Sequence, residues 1–409
     1  MKPIPEALGE VLPAFRPRGV ERVSLLDAAG RVLADAPRAR VDLPPFDNSA
    51  MDGYAVRAAD VIGASEGSPV TLPVCGESRA GGGVPEALPA GSAMRIFTGA
   101  VMPAGADAVI MQEDTAREGD AVAVHIAPSA GRHVRHRASD LAAGAELCAG
   151  VVLGPGELGL LASQHHAQVS VYRRPRVAIL STGDELIEVS DSPQPGKIVN
   201  SNAYALAAQV REAGGDPWVL PNCGDRLDAI VELVRAGLTA DVLLSVGGVS
   251  VGEYDLMGQA FQQAGVSQGF WKVAIKPGKP LSFGVKDGVP VIGLPGNPVS
   301  AMVTFEVFVR PGIRTMLGDP RPFRAHGVVR LAHDHSHRTG RTELARARLD
   351  GERVADLRRL QGSGSLPSMV GVDAYVVLAA DRAEFEAGAE LPALFVREGH
   401  GSPNHPFSG

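Results

Sequence analysis

From Arg176 to Leu317 the chain alternates apolar strand-like runs with helical ones, and few folds accept that pattern. Arg176–Leu180, Trp218–Leu220 and Val242–Ser245 read as strands, Asn202–Arg211 and Leu227–Ala236 as helices. Val273–Ile275, Leu281–Val285 and Val289–Ile292 continue the strand series, and Pro298–Leu317 closes it as a helix. Such alternation predicts parallel strands joined by helical crossovers, a three-layer α/β domain. In open sheets of this kind ligands bind beyond the carboxyl ends of the strands. The loops that follow those strands are therefore the ones to read for function.

The chain has 409 residues, more than one core usually organises, so several domains are expected. Residues 1–48 and 134–174 read as a discontinuous, elongated α+β linker domain, because helical runs at Glu6–Phe15 and from Pro155 flank a different kind of sequence. That insert, 49–133, has short alternating runs between glycine and proline clusters, the signature of a β-rich domain. Residues 175–321 form the three-layer domain, 322–397 a C-terminal β-barrel domain, and 398–409 a flexible tail. Fold class is thus multidomain α/β.

Thirty-nine Lys and Arg against 46 Asp and Glu leave a net charge of −7, which argues against nucleic-acid binding through a basic surface. Cys75, Cys148 and Cys223 lie far apart with no C-x-x-C spacing, so neither a zinc ribbon nor a disulfide framework is expected. No apolar run reaches membrane-spanning length and the first residues lack a signal core. The expected setting is the cytoplasm, with small-molecule partners and no membrane.

Three acid-bearing loops follow strands of the α/β domain. Ser181-Thr182-Gly183-Asp184-Glu185 offers hydroxyls, a turn and two carboxylates, and Gly224-Asp225-Arg226 enters a helix, where Asp225 is also an ordinary cap. The loop from Gly247 and Gly248 through Ser250, Gly252 and Glu253 to Asp255 exposes backbone N–H groups suited to phosphate oxygens. Its carboxylates would repel bare phosphate, so a divalent cation between acids and ligand, Mg²⁺, is the working expectation. Lys276-Pro277-Gly278-Lys279-Pro280 adds two ammonium groups on a turn stiffened by prolines, which suits a small oxyanion. Gly293-Leu294-Pro295-Gly296-Asn297-Pro298 would present another helix N-terminus. Neither a G-x-x-x-x-G-K-[ST] loop nor G-x-G-x-x-G follows any of these strands, which disfavours an ordinary ATPase or NAD enzyme.

These loops, together with Asp47–Ala55 and Thr98-Gly99-Ala100, closely resemble the molybdopterin molybdenumtransferase family, the MoeA proteins, related to the gephyrin E domain. The likeness spans nearly the whole chain in the right order. It implies a MogA/MoaB-like α/β domain and the last step of molybdenum cofactor synthesis, molybdate insertion into adenylylated molybdopterin with Mg²⁺-dependent release of AMP. By the same resemblance, Lys276, Lys279, Arg346 and Ser363 position molybdate, and Asp184, Glu185, Asp225 and Asp255 surround the nucleotide and hold the metal. Asp52 and Thr98 would reach the active site from the partner subunit of a homodimer, and the upstream molybdopterin adenylyltransferase is a candidate partner. Two departures from the family pattern stand at Ser139 and Pro367.

Other features have blander readings. His333, His335 and His337 alternate, which on a strand gives one polar, solvent-facing side. Tyr54 reads as a packing residue, and Arg132, Arg135 and Arg137 as a solvated face. Two rivals to the transferase reading are an enzyme that only adenylylates molybdopterin, which would not need Asp52, Thr98 or Ser363, and a non-catalytic scaffold.

Overall fold

A computed structural model of the chain describes residues 1–148, 150–248, 256–270, 272–350, 353–357 and 360–397. Ser250, Gly252, Glu253 and Asp255, and the tail expected at 398–409, lie outside the described residues. The chain divides into two compact units, one of Met1–Asp35, Gly150–Gly154 and Gln168 onward, the other of Ala36–Ala149 and Pro155–Ala167.

The first unit is built on a six-stranded sheet: β1 (Arg176–Ser181), β2 (Asp216–Val219), β3 (Val242–Val246), β4 (Ser267–Phe270), β5 (Ser282–Lys286) and β6 (Val289–Leu294), in the order β2-β1-β3-β6-β5-β4. β2, β1, β3 and β6 run parallel, as the alternation predicts. β5 and β4 run antiparallel. The reason is local: only Asp287 and Gly288 separate β5 from β6, both at positive φ (49° and 78°), and a two-residue turn of that geometry makes a hairpin and leaves no room for a crossover. Ile275–Lys276, expected to continue the sheet, instead pairs in parallel with Thr342–Glu343 of the barrel.

Strand residues alternate between two buried layers. Val177, Ile179, Leu244 and Ile292 pack with Leu206 and Val210 of α1 (Ser201–Glu212) and with Val299 and Phe308. The amino-terminal helix Ile4–Val11 joins this same core through Ala7 and Val11. Ala178, Leu180, Leu243 and Val291 face Ile230 and Val234 of α2 (Leu227–Gly237) and Met257 and Phe261 of α3 (Leu256–Gln263). Each fully buried Leu or Ile contributes about 2 kcal/mol. The helix expected over 298–317 runs as α4 (Pro298–Thr304), a π turn at Phe305–Val309, and α5 (Arg310–Met316). Pro311 accounts for the irregularity, since it brings no N–H to the helix and crowds the carbonyl four residues back.

The barrel closes from five strands, β7 (His326–Leu331), β8 (Thr342–Leu349), β9 (Val354–Asp356), β10 (Ala374–Leu378) and β11 (Glu390–Phe395), in the ring β8-β9-β7-β11-β10 and back to β8. Ala345, Ala347, Val376 and Phe385 fill its interior.

The second unit holds another six-stranded sheet, in the order Ala108–Met111, Gly53–Val56, Ala93–Ile96, Val70–Ser78, Ala121–Val124 and Thr115–Glu118. Gly53 is required where the first two strands meet, because a Cβ there would stand 1.8 Å from the Ile110 carbonyl oxygen. No helix among the described residues is long and apolar enough to cross a membrane.

Candidate active site

A cleft of about 640 Å³ lies at the carboxyl ends of β1, β3 and β6. β1 delivers Ser181 and Thr182, both nearly buried, and Glu185 just beyond them. Ser181 Oγ is buried with no hydrogen-bond partner among the described residues, a polar atom left for a ligand. β3 ends in Gly247 and Gly248, whose positive φ (86° and 65°) turns the backbone along the cleft wall. Pro295, Gly296 and Asn297 enter after β6, and Lys279 and Pro280 complete the cationic side.

Backbone contacts stitch the acid loops together. Gly183 N–H donates to Cys223 O (3.0 Å), and Asp225 N–H donates to Asp184 Oδ1 (3.0 Å). Gly183 holds a φ of 149° that favours glycine, and a Cβ on it or on Gly224 would push aside the carboxylate of Glu185 (2.4 Å) or of Asp184 (2.7 Å). Asp184, Glu185 and Asp225 offer hard carboxylate oxygens of the kind Mg²⁺ takes, so the donor chemistry fits that ion. Among the described residues no three His, Cys, Asp or Glu side chains already form a metal cluster, and Asp255 falls outside them.

The two lysines of the proline turn part company. Lys279 is exposed and lines the cleft, whereas Lys276 Nζ lies 2.8 Å from Glu343 Oε2. The strand pairing explains this, since Lys276 stands opposite Glu343, a carboxylate only 3% exposed that needs a nearby cation. His337 Nδ1 approaches the same oxygen at 3.1 Å, and His337 Nε2 lies 2.7 Å from Arg382 O. The three alternating histidines therefore do not share a solvent face: His333 is exposed and His337 is buried against this ion pair. Burial holds the His335 imidazole below its usual range.

Arg346, expected to touch molybdate, is fully buried on β8 and donates through Nη2 to Leu360 O (2.8 Å) and Gly362 O (3.3 Å). It thus fixes the loop carrying Ser363. Ser363 Oγ accepts from Asn297 Nδ2 (3.1 Å), which ties that loop to the cleft rim.

In the second unit, Asp52 and Thr98 meet because Gly53 and Ile96 are register partners. Asp52 Oδ1 accepts from both the Thr98 N–H and the Thr98 hydroxyl, each at 2.7 Å. These bonds, the backbone one first, hold the Asp52 carboxyl below its usual range. Tyr54 is buried in the core of this unit, as its packing reading requires, with Arg95 over its ring at 5.2 Å.

Sequence reading missed the apolar wall of the cleft. Leu186, Ile198 and Val199 line it, and Ile198 is 58% exposed. The Ile198-Val199 pair, following Gly196-Lys197 in a polar, proline-rich stretch, was its signal in the sequence. Asn200, Asn202 and Lys272 are further polar lining residues not anticipated, and Asn202 Nδ2 donates to Gly296 O (2.7 Å).

Fold and cleft define a multidomain α/β protein with one polar, glycine-lined pocket at the carboxyl ends of its parallel strands. Three family profiles match: the MoeA N-terminal region (domain I and II) over residues 2–164, the "Probable molybdopterin binding domain" over 178–315, and the MoeA C-terminal region (domain IV) over 328–396. The chain is 43% identical to a molybdopterin molybdenumtransferase of Nostoc sp. over 79% of its own length and 75% of that protein. It is 34% identical to that of Bacillus subtilis over 98% and 95%. The crystal structure of the molybdopterin biosynthesis MoeA protein from Pyrococcus horikoshii OT3 matches with a TM-score of 0.84 at 31% identity, covering 97% of this chain and all of that one. The chain belongs to the molybdopterin molybdenumtransferase (MoeA) family, transferases of molybdenum cofactor biosynthesis.

Proposed function

We propose that the chain inserts molybdate into adenylylated molybdopterin, with Mg²⁺-dependent release of AMP. The observation that carries this reading is the cleft itself, where the carboxylate of Glu185, the buried Ser181 hydroxyl, the turned Gly247-Gly248 backbone and the Lys279 ammonium converge on one space. The wall of Leu186, Ile198 and Val199 suits a pterin or adenine ring, which buries its faces while its edges seek polar groups. Lys279 attracts the molybdate dianion, and the Gly247-Gly248 turn offers N–H groups to phosphate. Asp184, Glu185 and Asp225, with Asp255, would hold Mg²⁺, which when bound neutralises charge on the diphosphate as AMP leaves. Ser250, Gly252 and Glu253 belong to the same phosphate loop in this reading.

Catalysis then rests on positioning and charge neutralisation. Lys276 acts from its place on Glu343, and Arg346 through the loop bearing Ser363. A homodimer, with Asp52 and Thr98 of one subunit serving the other's cleft, a cytoplasmic setting and hand-over from the upstream adenylyltransferase complete the proposal.

The test is to incubate the purified protein with adenylylated molybdopterin, molybdate and Mg²⁺, measuring AMP release and reconstitution of a cofactor-free molybdoenzyme. Both should depend on molybdate. Nucleotide hydrolysis indifferent to molybdate would reject the reading.

A further inference from the structure

A second cavity, of about 710 Å³ and sharing no lining residue with the cleft, opens among α1, the helical segment from Met302 to Arg310, and the barrel. Its carboxylates are already engaged. Glu306 Oε2 accepts from Arg324 Nε (2.9 Å) and Glu306 Oε1 from Gln209 Nε2 (2.9 Å), while Glu212 Oε1 takes Arg324 Nη2 at 2.5 Å. Arg310 stands beside this network and gains little from it. Its Nε is 3.9 Å from Glu306 Oε2 and makes no hydrogen bond among the described residues, and its Nη1 donates to Pro322 O (3.1 Å). The Arg397 side chain, on the rim, has no partner among the described residues.

Three guanidinium groups thus face two carboxylates, and for the largely buried Arg310 a charge short of compensation is costly, while Arg397 stands at the exposed rim. Burial, and then the neighbouring Arg324, push the Arg310 guanidinium below its ordinary range, as expected for a cation short of counter-charge. Met302, Met369, Val372 and Val396 form an apolar wall beside the arginines, and the buried Tyr375 completes the lining.

We propose that this cavity binds a small amphipathic organic anion, with a carboxylate or phosphate head on Arg310 and Arg397 and an apolar body against the methionine and valine wall. Guanidinium matches either head group in two-pronged hydrogen bonds, and a pocket with one charged end and one apolar wall selects such a molecule over a bare ion. The inference is independent of the transferase reading, because no residue of the cleft takes part.

Isothermal titration of the Lys279→Ala protein, in which anion uptake by the cleft is weakened, tests the site with hexanoate, butyl phosphate, inorganic phosphate and hexylammonium. At least one amphipathic anion should bind saturably, tighter than inorganic phosphate, and hexylammonium should not bind. Adding Arg310→Gln should weaken binding tenfold or more. Arg397→Gln, at an exposed position that leaves folding intact, should weaken it severalfold without changing AMP release in the otherwise native protein. The proposal is overturned if neither amphipathic anion binds, if inorganic phosphate binds as tightly as they do, or if the Arg397→Gln protein binds them unchanged.

Discussion

Lys276 Nζ and Glu343 Oε2 lie 2.8 Å apart, joining the proline turn of the α/β domain to strand β8 of the barrel. The pair is lopsided, since the Glu343 side chain is 4% exposed and that of Lys276 34%. Removing the lysine strands a buried carboxylate with imidazoles but no ammonium beside it among the described residues, whereas removing both partners would not. Lys276→Met should therefore lower unfolding stability by about 2 kcal/mol in urea titrations, the scale of a hydrogen bond to a charged group. A loss of about 0.5 kcal/mol or less would mean that the pair behaves like a surface ion pair.

Much of this architecture was legible because it follows from short-range rules. Period-two runs and helical crossovers give four parallel strands, and the glycine-bearing loops after β1 and β3 fall at their carboxyl ends, where the cleft is. What escaped was set by pairing across long sequence distances. Ile275–Lys276 reads as one more sheet strand until Thr342–Glu343, some 67 residues on, claims it. His337 looks like a solvent-facing residue until the pairing of His335-Ser336 with Glu384-Phe385, nearly 50 residues on, buries it beside Glu343. The antiparallel turn at Asp287-Gly288, by contrast, is a local signal that the parallel reading of Leu281–Val285 and Val289–Ile292 passed over.

Gly53 illustrates a steric requirement that composition hides. Its hydrogen atom faces the Ile110 carbonyl oxygen where a Cβ would come within 1.8 Å, so the two strands must separate to admit any side chain. Gly53→Ala should cost about 3 kcal/mol, at the upper end for overpacking, and should also disturb the adjoining Asp52–Thr98 contact. Thermal melts with limited proteolysis of residues 36–149 would show it. A melting temperature within about 1 °C of the parent would contradict this clash.

Asp52 has a folded-state pKa below 3.8, owing first to the Thr98 N–H and then to the Thr98 hydroxyl. For a depressed carboxyl, the stabilisation is present above the unfolded pKa and lost as pH falls through the folded one. Thr98→Val keeps the backbone donor and deletes the hydroxyl, so the Asp52 midpoint should rise toward 3.8 in an NMR carboxyl titration. The stability gap between parent and variant should be widest above pH 4 and close in stronger acid. An unmoved midpoint would assign the shift to the backbone bond alone.

Lys279 makes the sharpest functional prediction because it is exposed in the cleft, so its loss should leave the fold intact. A single well-placed charge at a developing or bound anion is worth roughly a hundredfold in rate. Lys279→Ala should therefore reduce molybdate-dependent AMP release about a hundredfold at an unchanged melting temperature, with affinity for adenylylated molybdopterin altered less than affinity for molybdate. Lys276→Met, whose ammonium is committed to Glu343, should show the opposite balance, with a clear stability loss and a smaller change in molybdate affinity. If both variants lost molybdate affinity equally and neither lost stability, the two lysines would act as one anion clamp, and Glu343 would release Lys276 when the ligand binds.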